Sequence, residues 1–265
     1  MQTQLSPVRG VLVSLTAFGA DEVRRHGQAW FAQLSHASGA DGVEVRGELL
    51  GDHPDSELDA LAAWASAAGV ARVYSSPRGM WDASGSLDEA AVREGLERAV
   101  RLGAAWLKMS IGRFNPRRPS GLDALRSLLA DSPVELLVEN DQSESAGTVP
   151  ALSAFFQAAD DAGLSLGMTF DMGNWHWAGE CPLRAADTFA QRVRYVHCKG
   201  VLRRPDRWVA VPLESSLAPW RSVLRALPAG APRAIEYPLI GADLAHVTRQ
   251  SLDALRQLEQ PFHGE

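Results

Sequence analysis

Short runs of residues typical of buried strands alternate with longer helical patterns along the chain. The eight strand candidates are residues 11–18, 42–49, 71–76, 105–112, 134–140, 166–173, 193–200 and 232–239. Helical patterns follow them at residues 22–37, 56–68, 87–102, 121–130, 150–162, about 183–192, about 217–227 and 243–258. Strictly alternating βα units predict a parallel sheet, and eight of them, at about 33 residues each, fit a (β/α)8 barrel.

A doubly wound open sheet is the rival arrangement of such units. It usually has a glycine-rich first turn, but here the first turn reads LTAFGADEV and contains no G-x-G-x-x-G motif. We therefore predict an α/β fold with one (β/α)8 TIM-barrel domain over residues 1–265. A functional site in such a barrel lies at the C-terminal ends of the strands.

The composition limits the cellular setting and the partners. Hydrophobic residues make up 46% of the chain and charged residues 22%, which are ordinary values for a globular protein. The net charge of -6 disfavours nucleic acid or an anionic membrane as a partner. The N-terminus lacks signal-peptide features, no apolar run is long enough to span a membrane, and the two cysteines show no framework spacing. We expect a cytoplasmic protein, and a homo-oligomer is left open.

Four consecutive strand candidates, the fifth to the eighth, end on a side chain that can bind a metal. These side chains are Glu139, Asp171, His197 and Glu236. A lone acid or histidine at a strand end is usually a cap or a packing residue. These four, however, are spaced by about one βα unit each, which places all of them at the C-terminal end of the barrel. Three carboxylates so close would repel one another, and a divalent cation would relieve this repulsion. Mn2+, Mg2+ or Co2+ suits such an oxygen-rich set best, and Zn2+ is also compatible.

Several motifs at these positions resemble the xylose-isomerase-like barrel superfamily of sugar and sugar phosphate isomerases and epimerases. They are GVEVR (42–46), LLVENDQ (136–142), FDMGNW (170–175), YVHCKG (195–200) and AIEYPL (234–239). Within that superfamily the chain looks most like the epimerases encoded with 2-ketogluconate utilisation genes. The segments SLTAFGADEVRRHGQAWF near the start and VAVP (209–212) support this closer match.

The resemblance implies that Glu139, Asp171, His197 and Glu236 bind one divalent metal ion. It also implies that the two glutamates are the acid–base pair. Many ketose epimerases carry a histidine three residues after the strand-six aspartate, whereas this chain has Asn174 there. An amide can hydrogen-bond a substrate oxygen but cannot change its charge, so the departure concerns the substrate and not the metal site.

A metal that binds a ketone oxygen and a neighbouring hydroxyl acidifies the adjacent C–H bond. One glutamate can then remove the proton to give an enediolate, and the other can return a proton from the opposite face. Return to the same carbon is epimerisation, and return to the neighbouring carbon is isomerisation. We expect Glu139 and Glu236 to fill these roles on a small-molecule sugar or sugar acid.

Strand parity places further side chains toward the barrel axis. They are Glu44, Arg46, Lys108 and Lys199, and together with Asn174 and Trp175 of the turn after Asp171 they are the candidates for substrate binding. A buried ion-pair layer is an equally good interpretation for Glu44, Arg46 and Lys108, as is a solvated loop charge for Lys199. We expect Gly173 to allow a sharp turn after Asp171, and Trp175 and Trp177 to cover the site or to pack on the rim. The segment RRPDRW (203–208) reads best as a solvated charged loop.

Three other functions share parts of this pattern. A metal-dependent keto-acid dehydratase resembling dehydroshikimate dehydratases shares the metal and the proton abstraction. An abasic-site endonuclease of the same superfamily needs a three-metal cluster with several more histidines and acids at strand ends. Most of the seven histidines here lie on helices or loops and the net charge is negative, so this function is disfavoured. A non-catalytic sugar-binding protein is disfavoured because both glutamates of the proton-transfer pair are present.

Overall fold

The computed structural model describes residues 8–258, so the two ends of the domain predicted over 1–265 lie outside the described part. Eight parallel strands form a closed barrel, and two further strands form a hairpin beside it. The barrel strands are β1 (Val11–Ser14), β2 (Gly42–Arg46), β3 (Ala71–Ser75), β4 (Trp106–Ser110), β5 (Glu135–Glu139), β6 (Gly167–Asp171), β7 (Val193–Cys198) and β10 (Arg233–Ile235). The hairpin consists of β8 (Gly200–Arg203) and β9 (Trp208–Val211).

Helices connect the barrel strands. They are α1 (Ala20–His26), α2 (Gln28–Ala37), α3 (Pro54–Ala68), α4 (Glu89–Leu102), α5 (Leu122–Ala130), α6 (Val149–Asp161), α7 (Asn174–Trp177), α8 (Pro182–Phe189), α9 (Trp220–Ala226) and α10 (Leu244–Gln257). Side-chain caps begin several of them: Asp88 accepts from Ala91 N at α4, and Thr148 accepts from Ala151 N at α6. None of the described helices is long and apolar enough to cross a bilayer.

The order of strands around the barrel is β1-β10-β7-β6-β5-β4-β3-β2, and β1 pairs with both β2 and β10. The predicted (β/α)8 TIM barrel is therefore confirmed. Every predicted strand is present, although most are shorter than the apolar run that indicated them. The predicted helix over 22–37 is interrupted at Gly27, whose φ of 80° ends α1 before α2 begins.

Alternation along the strands divides the apolar residues between two layers. One set packs between the barrel and the surrounding helices, for example Val11, Val13 and Val43. A smaller cluster, which includes Leu12, Tyr195 and Ala234, fills the interior of the barrel. This filled interior supports the polar side chains at the strand ends.

The hairpin was not among the strands predicted from the sequence. It follows β7 directly, so it rises from the same end of the barrel as the strand ends. The segment predicted to be a solvated charged loop forms its turn and is exposed over residues 203–207. The hairpin contacts α7 through the rings of Trp208 and His176, whose centroids lie 5.0 Å apart.

Candidate active site

The barrel brings together four side chains, Glu139, Asp171, His197 and Glu236, which we call the four-residue cluster. One ligand atom from each lies within 4.8 Å of the others. His197 Nδ1 lies 3.1 Å from Glu139 Oε1, 3.0 Å from Glu236 Oε2 and 3.8 Å from Asp171 Oδ2. Ligand atoms at about 2.1 Å from a six-coordinate ion lie about 3.0 Å apart when adjacent and about 4.2 Å apart when opposite. The cluster therefore fits a divalent metal ion.

The orientation of the His197 ring also suits a metal ion. Nε2 lies 2.7 Å from Glu44 Oε2, and since an ionised carboxylate only accepts hydrogen bonds, Nε2 carries the proton. Nδ1 then points at the three carboxylates of the cluster. Burial alone would lower the pKa of His197, but the negative charges of Glu236 and Glu44 raise it well above its ordinary value. The three carboxylates therefore favour a positive charge at Nδ1, and either a proton or a metal ion can supply that charge.

Cations surround the two glutamates of the cluster. Lys108 Nζ donates to both Glu139 oxygens at 2.8 Å. Glu236 Oε1 accepts from Arg46 Nη1 at 2.9 Å, and its Oε2 lies 2.8 Å from Lys199 Nζ. Burial alone would raise the pKa of both glutamates. For Glu139 the charge of Lys108 and the contact with His197 together offset burial, and for Glu236 the charges of His197 and Lys199 and the hydrogen bond from His197 do so, so the pKa of each falls below its ordinary value. Both are ionised near neutral pH and ready to accept a proton.

Asp171 is the most enclosed carboxylate of the cluster. Its Oδ1 accepts from the backbone N–H groups of Gly173 and Asn174 at 2.8 and 2.9 Å, and its Oδ2 accepts from Lys199 Nζ at 2.8 Å. Asn140 holds the Asp171 backbone by accepting from its N–H and donating to its carbonyl oxygen. Burial raises the pKa of Asp171, and the charge of Lys199 opposes this shift. Asp171 thus ends β6, fixes the following turn and presents one oxygen to the cluster.

Gly173 has a role that differs from the expected one. Its φ of -84° and ψ of -41° are ordinary right-handed values, so the turn does not need the conformational freedom of glycine. A Cβ at this position would instead lie 2.8–3.2 Å from Cδ, Cγ and Cβ of Lys199. The glycine is required for the close approach of Lys199.

Trp175 does not cover the site, which corrects one of the two expectations for this residue. Its side chain is fully buried and lies between Phe170, at 5.4 Å, and Phe189, at 6.0 Å and nearly parallel. Phe170 points away from the barrel axis, so Trp175 packs in the apolar layer behind β6. Trp177 is half-buried. The placement of Trp175 agrees with the packing alternative and not with a substrate contact.

The remaining candidates from the sequence lie next to the cluster. Glu44 and Lys108 are buried at its base, where Lys108 Nζ lies 3.4 Å from Glu44 Oε1. Arg46 links Glu44 to Glu236, with Nη1 at 2.8 and 2.9 Å. Glu44 and Lys108 support the cluster from beneath, as in the ion-pair layer that the sequence left as an alternative, whereas Arg46 extends to Glu236 and is partly exposed.

Two adjoining cavities open above the cluster. One, of about 560 Å³, is lined by Arg46, Glu139, Asp141, Gln142, Ser143, Asn174, Lys199 and Glu236. The other, of about 450 Å³, shares Arg46, Glu139 and Asp141 with the first and extends over the ends of β3 and β4. Both glutamates of the cluster thus face a cavity, whereas Asp171 and His197 lie beneath it.

Sequence reasoning missed several polar residues of these two cavities, among them Asp141, Gln142 and Ser110. Asp141 Oδ2 accepts from Ser110 Oγ at 2.6 Å, and Gln142 donates to Asn174 Oδ1 at 3.1 Å. Asp141 and Gln142 belong to the VENDQ motif, but they follow the end of β5, where strand parity no longer gives the direction of a side chain. Ser110 ends β4, and its direction toward Asp141 was open to the same parity argument as Lys108.

Comparison with known proteins identifies the relatives of this barrel. Residues 32–258 match the model of the family described as the xylose isomerase-like TIM barrel. The chain matches no curated protein sequence. Among solved structures it is similar to a probable 3-DHS dehydratase from Bacillus anthracis, with 13% identity, a TM-score of 0.69, and coverage of 93% of this chain and 98% of the other.

Two further solved structures are similar over nearly their whole length. A xylose isomerase domain containing protein from Salmonella typhimurium has 16% identity and a TM-score of 0.69, with 98% of this chain and 100% of the other covered. A D-allulose 3-epimerase from Methylomonas sp. has 14% identity and a TM-score of 0.67, with 96% and 99% covered. At these identities the likeness concerns the fold alone.

Proposed function

The chain belongs to the xylose isomerase-like TIM barrel family, and on this premise we propose that it is a metal-dependent epimerase or isomerase of a sugar or sugar acid. Glu139 and Glu236 are the acid–base pair, and one divalent ion binds to the four-residue cluster. The single observation that carries this proposal is that only two of the four residues in the cluster are open to the cavity. The two glutamates line the open cavity, while Asp171 and His197 are buried below it.

The positions of the two glutamates support transfer of a proton on two faces of a substrate. Glu139 ends β5 and Glu236 follows β10, and two strands, β6 and β7, lie between β5 and β10 on the shorter path around the barrel. A substrate carbon held between these side chains meets one carboxylate on each side. Both carboxylates are ionised near neutral pH, so either can act as the base, depending on which epimer is bound.

A divalent ion bound at the cluster would polarise a substrate carbonyl and acidify the neighbouring C–H bond. The protein side chains supply the rest of the chemistry. Glu44 fixes the ring of His197, and Lys108 and Arg46 orient the two glutamates. Asn174 and Asp141 offer hydrogen-bonding groups at the cavity for substrate hydroxyls. Asp171 and His197 are ligands without a role in proton transfer.

Solvent exchange at carbon tests this function directly. Purified protein is stripped of bound metal with EDTA, reloaded with Mg2+ and incubated in D2O with a panel of keto-sugars and keto-sugar acids, including 2-ketogluconate. We expect deuterium at a carbon next to the carbonyl of at least one compound, together with formation of its epimer or isomer, as read by NMR.

Control reactions separate the proposed activity from its rivals. The Glu139→Gln and Glu236→Gln variants should give no product under the same conditions. Elimination of water from a keto-acid in the panel, with no epimer formed, would instead identify a dehydratase. Binding of a sugar without exchange in any compound would indicate a sugar-binding protein and would contradict the proposal.

A further inference from the structure

The chain uses lysine at only two positions, and both are in the site. Its lysine and arginine residues number 26, and Lys108 and Lys199 are the only lysines among them. An ammonium group is a compact charge with three donors, whereas a guanidinium group is a wide planar fork. Both lysines contact carboxylate oxygens of the four-residue cluster. Both lysines of the chain therefore lie at the four-residue cluster.

Lys199 contacts the atoms that a metal ion would use. Its Nζ lies 2.8 Å from Asp171 Oδ2, 2.8 Å from Glu236 Oε2 and 3.2 Å from Asn174 Oδ1. The same two carboxylate oxygens are the ones that face His197 Nδ1. The ammonium and a bound ion would thus share two oxygen atoms of the cluster.

Lys108 approaches the cluster differently. It is 1% exposed, and its Nζ bonds both oxygens of Glu139 and lies 3.4 Å from Glu44 Oε1. Lys108 does not line either cavity and has no open space to move into. Lys199 lines the larger cavity, so its ammonium group can leave the carboxylates without entering the core.

Two cations cannot share these oxygens without strong repulsion. An ion at about 2.1 Å from Asp171 Oδ2 lies no more than about 5 Å from an ammonium nitrogen that is 2.8 Å from the same atom. A divalent charge and a monovalent charge repel strongly at that separation, because the side chains of Lys199, Asp171 and Glu236 are all largely buried. The cost falls when Lys199 turns toward Asn174 and the cavity.

We propose that Lys199 and the divalent ion compete for Asp171 Oδ2 and Glu236 Oε2, so that binding of the ion releases the ammonium group toward the substrate cavity. Lys199 is then a positioning residue that holds the two carboxylates together, and it becomes a substrate contact when the ion binds. The competition rests on the metal site of the proposed function but not on the reaction.

Gly173 provides a second way to move Lys199. The side-chain stem of Lys199 lies against the Cα of Gly173, where an added methyl group would overlap it. The backbone at Gly173 is right-handed, so Gly173→Ala costs no conformational strain. This variant displaces the ammonium group while its charge stays in the protein.

Ion affinity in the absence of substrate tests the competition. Free Mn2+ is measured by electron paramagnetic resonance during titration of wild-type protein and of the Lys199→Met, Gly173→Ala and Lys108→Met variants. We expect Lys199→Met to bind Mn2+ about 10-fold more tightly or better, and Gly173→Ala to show a smaller gain. Lys108→Met is the charge-matched control, and it should gain less than Lys199→Met. Thermal melts verify that each variant is folded.

The lysine content of the chain also allows a direct view of the movement. Protein grown with lysine labelled with 13C at Cε gives two lysine signals, which the Lys199→Met variant assigns. We expect Mg2+ to shift the Lys199 signal strongly and to saturate at one ion per chain, with a smaller effect on Lys108. An unmoved Lys199 signal, or a Lys199→Met affinity equal to or weaker than wild type, overturns the proposal.

The outcome is separable from that of the proposed function. If neither wild type nor Lys199→Met binds an ion, both the competition and the metal site are wrong. If ions bind with the expected difference but no compound undergoes solvent exchange, the competition stands and the proposed activity fails.

Discussion

Glu44 and His197 form a buried pair in which Oε2 and Nε2 lie 2.7 Å apart, on the side of the imidazole ring opposite the three carboxylates of the cluster. The pair fixes which ring nitrogen is free to bind a metal ion. It also joins β2 to β7 across the interior of the barrel. The cluster therefore depends on Glu44, which is not one of its four members.

Substituting Glu44 by Gln should weaken metal binding by about 10–100-fold, because the neutral amide no longer favours a basic Nδ1 on His197. The amide keeps the shape of the side chain, so the fold should persist. Calorimetric titration with Mn2+ measures the effect. Glu48→Gln is the matched control, since Glu48 contacts Arg46 but not His197. Equal affinities for both variants and wild type would show that the pair is only structural.

Substituting Asp171 by Asn should reduce ion affinity roughly 10-fold or more, because a charged oxygen ligand is lost. The amide oxygen can still accept from the backbone N–H groups of Gly173 and Asn174, so the turn should keep its structure. Affinity and the thermal melting temperature are measured together. Unfolding of the variant would mean that Asp171 has a structural role and is not primarily a ligand.

Glu139→Gln and Glu236→Gln should each lower turnover by about 10²–10⁴-fold at saturating metal, since proton transfer fails without a base on either face. The two variants should differ in solvent exchange. The variant that lacks the abstracting base for a given epimer cannot incorporate deuterium, whereas the other still exchanges that proton without inverting the carbon. Near-wild-type epimerisation by either variant would contradict a two-base mechanism.

The stability of the metal-free protein should decrease in acid more steeply than its surface carboxylates alone would cause. The pKa values of Glu44, Glu139 and Glu236 lie below the ordinary value of 4.5 in the folded state, so their contribution is complete above about pH 4.5 and is lost as pH falls below it. Asp171 has the opposite sign, because its raised pKa lets the folded state take up a proton first.

Denaturant titrations in EDTA between about pH 3 and 7 measure this dependence. The comparison between wild type and Glu44→Gln isolates the contribution of Glu44, since surface groups are common to both. We expect the free energy of unfolding of the variant to depend less steeply on pH. Parallel profiles would mean that the low pKa of Glu44 does not stabilise the fold.

Truncation of Trp175 to Ala should lower the free energy of unfolding by about 3–5 kcal/mol, because it opens a cavity between Phe170 and Phe189. Trp177→Ala, at a half-buried position, should cost much less. Denaturant unfolding of both variants gives the comparison. A stable Trp175→Ala protein with impaired substrate binding would instead place this ring over the site.

Much of the site could be predicted because strand period and parity are local properties of the sequence. Asp171 and His197 lie within strands, where alternation fixes the direction of each side chain. Alternation no longer applies after the strand ends. The backbone path after Asp171, which places Trp175 in the apolar layer behind β6, was therefore not predictable. The role of Gly173 was also hidden, because it depends on Lys199, which approaches from a neighbouring strand.

The closure of the barrel has a consequence for how the protein folds during its synthesis on the ribosome. Leu12 of β1 pairs with Ala234 of β10, and Glu236 lies two residues beyond that pairing. The first strand therefore keeps an unpaired edge until β10 has been synthesised, and during that time it can pair wrongly or bind a chaperone. The same final step brings in the last carboxylate of the cluster, so an ion that needs all four side chains recognises only the closed barrel and stabilises it against reopening.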